Sequence, residues 1–321
     1  MKKLIKNGLL FSASLLVVYL LIFTVLFYIR PSGVPFIYRA TQGNVSQGGG
    51  TWVKLKNFDA TRKWDIIVLG SSHAYRGYDP TLFSRYGISM YNLGTSNQHM
   101  RCTYYIAKNH INRNNCKLIL LDVYDRAFCS QQLESMSDLI QNAADDKTAI
   151  DIAFSTPDIR VINMLALRYF NKTIPLLNTD TTGFINGYKE NRKYLNPVIA
   201  DSIKLENKYK TNPLQVKYLI KLLTYFKSQG IPVVAAEHPL PSLYTVREHT
   251  KFISDIQPVF NQFNVPFLDH TYDPDIAGKL CYFFDPTHLN FRGVSKYNER
   301  LLKELVQMGI LSGASANRAG L

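Results

Sequence analysis

The chain has 321 residues, 46% of them hydrophobic and 19% charged, with a formal net charge of +13. That balance provides for one large folded domain with a short appendage and excludes a disordered or collagen-like chain. The surplus of basic residues favours anionic lipid head groups or envelope polymers as neighbours, or serves solubility alone.

Residues 1–30 read as a cytoplasmic tip and a transmembrane anchor. Gly8 to Ile29 is apolar except for Ser12, Ser14 and Thr24, and as a helix it extends about 33 Å against a hydrocarbon core of about 30 Å. A cleaved signal peptide is the alternative, but the run is longer than such a segment needs and leaves through Phe27, Tyr28, Ile29 and Arg30 without a small-residue cleavage site. Lys2, Lys3 and Lys6 precede the span, so the positive-inside rule keeps the N-terminus cytoplasmic and puts the remainder at the periplasmic or cell-surface side. Nucleic acid is not expected as a partner there, and the lipid bilayer is.

Residues 31–51 are rich in Gly, Ser and Pro and read as a tether. The domain then begins near Trp52 and runs to 311. Asp65–Leu69, Leu118–Val123 and Pro232–Ala236 are short apolar runs of the kind buried on both faces of a parallel sheet, with Met90–Leu93 and Pro266–Leu268 as shorter candidates. Asp79-Pro80 and Asn212-Pro213 pair a helix cap with proline at the first helical position. Leu214, Tyr218, Leu219, Leu222, Leu223 and Phe226 then form one face at helical spacing, as do Tyr297, Leu301, Leu302, Leu305 and Val306 in a closing helix from about Gly293 to Met308. Strand alternating with helix predicts an α/β fold: a doubly wound, five-stranded, mainly parallel sheet of flavodoxin-like type behind one transmembrane helix. Residues 124–210 break the rhythm and read as an insertion, with one helix from Ser155–Pro157 towards Phe170 and a turn-rich part around Asn178 to Lys189. Residues 312–321 read as a flexible tail.

Cys102, Cys116, Cys129 and Cys281 have no metal or redox spacing, and sequence cannot choose among their possible pairings; they are taken as structural. Asp269, His270, Asp273 and Asp275 match no EF-hand or zinc pattern and read as solvated turn residues, so no metal and no cofactor are expected.

In an open α/β sheet, ligands sit beyond the carboxyl ends of the strands. After the first strand stands Gly70-Ser71-Ser72-His73, where a serine on a tight turn exposes its hydroxyl beside inward-facing N–H groups. After the second stands Asn92-Leu93-Gly94-Thr95-Ser96-Asn97, where Gly94 offers an N–H, and Asn97 either faces a substrate or caps the next helix. Before the last helix stands Asp285-Pro286-Thr287-His288-Leu289-Asn290, in which the acid and the imidazole can touch. Asp122, Tyr124 and Arg126 end the third strand, Glu237 and His238 end the fourth, and His73 adjoins Ser72, making these candidate substrate contacts.

The three blocks, in this order, resemble the SGNH hydrolase superfamily, also called GDSL-like. The resemblance implies Ser72 as nucleophile, Ser72 and Gly94 as oxyanion donors, Asp285 as orienting acid and His288 as base, and it covers Asp65 to about Met308 without the insertion. Ser71 replaces the aspartate usual in the first block, and the G-x-N-D block is absent, with Leu121-Asp122-Val123-Tyr124-Asp125-Arg126 in its place. The family's asparagine donor therefore has no clear counterpart. The G-S-S variant on an N-terminal anchor is most similar to DltD-type envelope O-acylation proteins. That implies a serine acyl-enzyme moving an acyl group, for instance acetyl, from an acyl donor to a cell-surface glycan, with a membrane-bound O-acyltransferase as partner. An extracytoplasmic esterase or deacetylase with the same triad, and a non-catalytic scaffold for such a partner, are the alternatives.

Overall fold

A computed structural model of the chain describes residues 1–41, 43, 45–129, 133–170, 183–196, 209–241 and 246–311, with backbone alone at 45–49 and 246–247. The expected flexible tail, 312–321, lies outside them, as does most of the turn-rich stretch before residue 183. The chain divides into two compact units: Met1–Gly49 with Met136–Thr179, and Gly50–Ser135 with Asp180–Leu321.

In the first unit, α1 (Lys2–Tyr28) is the apolar helix, long and apolar enough to cross a membrane or to be a signal sequence. Its sides are bare: Leu9, Phe11, Leu15, Val17 and Leu21 are exposed, and of its apolar residues only Phe23 and Phe27 are buried. Two 3-10 turns follow, at Pro31–Gly33 and Phe36–Ala40. The helix α2 (Val45–Asn57) then starts inside the stretch expected to be a loose tether. The difference arises because three consecutive glycines weaken a helix without forbidding it, and the apolar residues that follow anchor this one.

The second unit continues with β1 (Trp64–Leu69), α3 (Ser72–Gly77), α4 (Pro80–Ser84), β2 (Met90–Asn92), α5 (Met100–His110), β3 (Cys116–Asp122) and α6 (Asp125–Cys129). Next come α7 (Leu133–Gln141), which crosses into the first unit, α8 (Asp146–Ser155) and α9 (Ile159–Phe170). There Phe170 of α9 packs against Phe23 and Phe27, and the Tyr19 hydroxyl bonds Asn163. The second unit resumes with the hairpin β4 (Phe184–Ile185) and β5 (Tyr188–Lys189), then α10 (Pro213–Gln229), β6 (Val233–Glu237), α11 (Val246–Phe263), β7 (Phe267–Asp269) and α12 (Phe291–Gln307).

The main sheet is five-stranded and all parallel, in the order β2-β1-β3-β6-β7. Setting the hairpin aside, this is the flavodoxin-like order, whose direction reverses between β1 and β3; ligands bind at that crevice. Ile66, Ile67, Val68 and Leu69 are wholly buried, as a strand covered by helices on both faces requires. Asn212 caps α10 through the N–H of Leu214, and Gly230 ends it in the left-handed region at φ 66°. Tyr218, Leu219, Leu222, Leu223 and Phe226 are its buried face. All four cysteines are free thiols, Cys102 and Cys116 buried. Asp273, ion-paired with Arg300, and His270, hydrogen-bonded through Nε2 to Glu304, are buried rather than solvated turn residues.

Candidate active site

The end of β1 is shaped by Gly70. Its φ is +149°, and a Cβ there would lie 2.7 Å from Asp122 Cβ and 3.0 Å from Ala74 Cβ, so only glycine lets the chain turn this closely past β3. Ser71 caps α3 by accepting from His73 N–H. Ser72 is the first residue of that helix, a position whose N–H has no intrahelical acceptor.

Ser72 Oγ lies 2.8 Å from His288 Nε2, and His288 Nδ1 lies 2.8 Å from Asp285 Oδ2. The three side chains form one hydrogen-bonded line although Ser72 and His288 are far apart in the chain. Asp285 also accepts from the N–H groups of Thr287 and His288 at 2.8 and 2.9 Å. Burial alone would raise its pKa; the His288 ring and these two amides outweigh that and hold it below the usual carboxylate range. An ionised Asp285 keeps the proton on His288 Nδ1 and leaves Nε2 free to take one from Ser72. Phe284 stacks on the His288 ring at 5.3 Å. The loop is pinned below by Asn290, fully buried, whose amide donates to the carbonyls of Cys281 and Phe283 while its oxygen accepts from Arg292 and Gly293 at the start of α12.

Beside this line is a small cavity of about 140 Å³, lined by Ser72, His73, Asn97, Tyr124, Arg126, Thr287 and His288 together with Ser71, Gln98 and Ala127. Of the sequence candidates, His73, Asn97, Tyr124 and Arg126 therefore reach it, whereas Asp122, Glu237, His238 and Gly94 are not part of its wall. Gly94 packs against the Ser72 turn, a Cβ there falling 2.6 Å from Ala74 Cβ, and its N–H donates to Asn92 Oδ1 at 3.0 Å. Asn97 is not the cap of α5, a place taken by His99, whose Nδ1 accepts from Cys102 N–H. Asn97 instead holds φ +51° and donates to Glu134.

The His73 ring is buried, stacked 3.6 Å from Tyr124 and 4.4 Å from His238. Burial, then the neighbouring His238, His288 and Arg126, push its pKa well down, so it is a neutral ring. His238 donates through Nδ1 to the Pro239 carbonyl at 2.8 Å, and burial lowers it to about 4. Asp122 accepts from the Tyr78 hydroxyl at 3.0 Å; burial raises it to about 8, against that hydrogen bond. It lies under the site as a structural acid.

No protein-family model matches the chain, and no curated protein sequence is similar to it. Among solved structures it is similar to a GDSL-like lipase from Bacteroides thetaiotaomicron, with a TM-score of 0.41 and 10% identity over 83% of this chain and 100% of that one. It is also similar to an acetyl xylan esterase, with a TM-score of 0.40 and 12% identity over 75% of this chain and 99% of that one.

Sequence reasoning missed Lys54. It is buried, donates to the Gly94 carbonyl and lies 3.7 Å over the Tyr75 ring. Burial lowers its pKa well below the lysine range. No motif surrounds it, and its place in a helix that glycines obscure left no signal.

Proposed function

We propose that this chain is a membrane-anchored serine acyltransferase that moves a small acyl group, such as acetyl, onto a cell-envelope polysaccharide. The observation that carries this reading is the hydrogen-bonded line Ser72–His288–Asp285 opening on a cavity. His288 takes the Ser72 proton as Oγ attacks an ester or thioester carbonyl; the tetrahedral oxyanion is met by the Ser72 N–H, with the Asn97 and Arg126 side chains in the same cavity. Collapse expels the donor's leaving group, which takes the proton from His288. A sugar hydroxyl then attacks the acyl-enzyme, and His288 accepts its proton and returns it to Ser72.

A cavity of about 140 Å³ is below the ~300–1,000 Å³ of pockets for larger ligands and fits a short acyl group better than a fatty chain. The bare sides of α1 and the exposed Phe154, Ile159, Tyr169 and Phe170 in the same unit favour a lipid environment. The three lysines before the span favour a catalytic domain outside the cytoplasm. A membrane-bound O-acyltransferase delivering the acyl group is the partner this reading calls for.

The second reading is an esterase. His288 is 16% exposed, so water has a route to the acyl-enzyme. Acyl release is therefore measured with and without de-acylated polysaccharide. Release that accelerates with acceptor, accompanied by acyl transfer to it, supports the transferase; equal rates and no acylated polymer leave the esterase. Failure of the wild-type protein to react with a fluorophosphonate would favour the non-catalytic scaffold.

A further inference from the structure

Glu237 is the last residue of β6 and is 1% exposed. Among the described residues, neither of its carboxylate oxygens has a hydrogen bond of ordinary geometry, and the Thr271 hydroxyl lies close by. A buried carboxylate left this way costs several kcal/mol unless a proton or a cation compensates it. Two further acids, Asp125 and Asp269, lie close to it. Asp125 is itself buried, with no partner for Oδ1 among the described residues.

One imidazole stands among these acids. His249, on α11, is 7% exposed. Its Nε2 is 2.8 Å from Asp269 Oδ2, and Asp269 is fixed through Oδ1 by the Thr271 N–H at 3.1 Å. Its Nδ1 is 3.9 Å from Glu237 Oε2. That gap is too long for a hydrogen bond, and a cation about 2.1 Å from each atom bridges it at an angle wider than tetrahedral; closure to about 3.4 Å gives the tetrahedral value. A carboxylate holding one ring nitrogen while the other faces a second carboxylate is the arrangement that orients a metal-bound histidine. Ligand atoms of Glu237, His249 and Asp269 lie within 4.8 Å of one another.

We propose that Glu237 and His249 Nδ1 bind one divalent cation, of the Zn²⁺ type by its mixed imidazole and carboxylate donors, with Asp269 orienting the imidazole and Asp125 adding charge from α6. The three residues come from the ends of two strands and the first turns of a helix, so no sequence spacing reveals the site. The cation fastens the end of β6 to α11, and the imidazole links it on to the end of β7 through Asp269. It does so next to His238, whose ring supports His73 on the wall of the cavity.

The test uses the full chain in detergent, stripped with chelator and titrated with Zn²⁺ while bound metal and thermal unfolding are followed. The expected result is one Zn²⁺ per chain and a rise in unfolding temperature, since a ligand that binds only the folded state stabilises it. Glu237→Gln and His249→Ala abolish both effects, whereas His288→Ala, which removes an imidazole paired with Asp285 elsewhere in the fold, keeps both. Asp269→Asn, at the more exposed rim, weakens binding about tenfold or more and serves where the buried variants fail to fold. No uptake by wild type, or uptake unchanged in the Glu237, His249 and Asp269 variants, overturns the proposal.

Discussion

Ser72 owes its place to neighbours on both sides: Gly70, which no other residue replaces without collision, and Ser71, whose hydroxyl starts the helix. Replacing Ser72 by Ala is expected to abolish acyl transfer with little change in stability, because among the described residues the removed hydroxyl bonds His288 alone. Asp285→Asn is expected to lower kcat by about 10³ to 10⁴, since an amide no longer selects the imidazole tautomer with Nε2 free; an effect under tenfold in steady-state kinetics contradicts the role. Asp122 supplies a pH dependence. Below about pH 4 the folded and unfolded chains both hold its proton. Between there and about 8, where burial places its folded pKa, only the folded chain retains it. Stability therefore falls as pH rises through this window and no further above it. Asp122→Asn, which keeps the neutral shape, is expected to flatten that slope in denaturation curves at pH 5 and pH 8; an unchanged slope assigns it to other groups. Ser72, Asp285 and His288 were legible because each sits in a short block whose chemistry is local. The displacement of Asp122 and His238 from the cavity wall was not, since strand ends announce which edge a residue reaches but not which way its side chain turns.

Among the elements, β1, β3 and β6 were legible to within a few residues because four β-branched or aliphatic positions in a row fit little else than a doubly covered strand, while β2 and β7 were read from shorter apolar runs. The hairpin β4–β5 was readable in principle. Asn186-Gly187 takes positive φ at both positions, 45° and 84°, the strongest short-range turn signal, but the surrounding turn-rich stretch masked it. It abuts β2: the Asn186 carbonyl accepts from Asn92 N–H at 2.8 Å, and a Cβ on Gly187 would strike the Asn92 carbonyl oxygen. The start of α12 matters more to the site. Asn290→Ala removes a cap and two buried donations at once, and is expected to cost about 2–3 kcal/mol of stability. It is also expected to lower kcat, as the His288 loop loosens. Full activity with unchanged unfolding would show that the loop holds itself.

At the scale of the whole molecule, the apolar helix and the α/β fold were legible from hydropathy and alternation, while the grouping of Met136–Thr179 with the first unit was not. Its signal is long-range: α9 looks like an ordinary amphipathic helix until Phe170 and Asn163 are seen against Phe23, Phe27 and Tyr19. If α1 is retained as an anchor, the full chain stays with membranes through carbonate extraction, and protease added from the extracytoplasmic side digests the catalytic domain; release into the soluble fraction instead identifies a cleaved signal. The central claim is the covalent one, that an acyl group passes through Ser72. Intact-mass analysis of the full chain mixed rapidly with an activated acetyl ester tests it directly. The expected result is a transient gain of one acetyl group, mapped to Ser72 and absent from Ser72→Ala. Turnover with no such adduct, undiminished in the alanine variant, would contradict it.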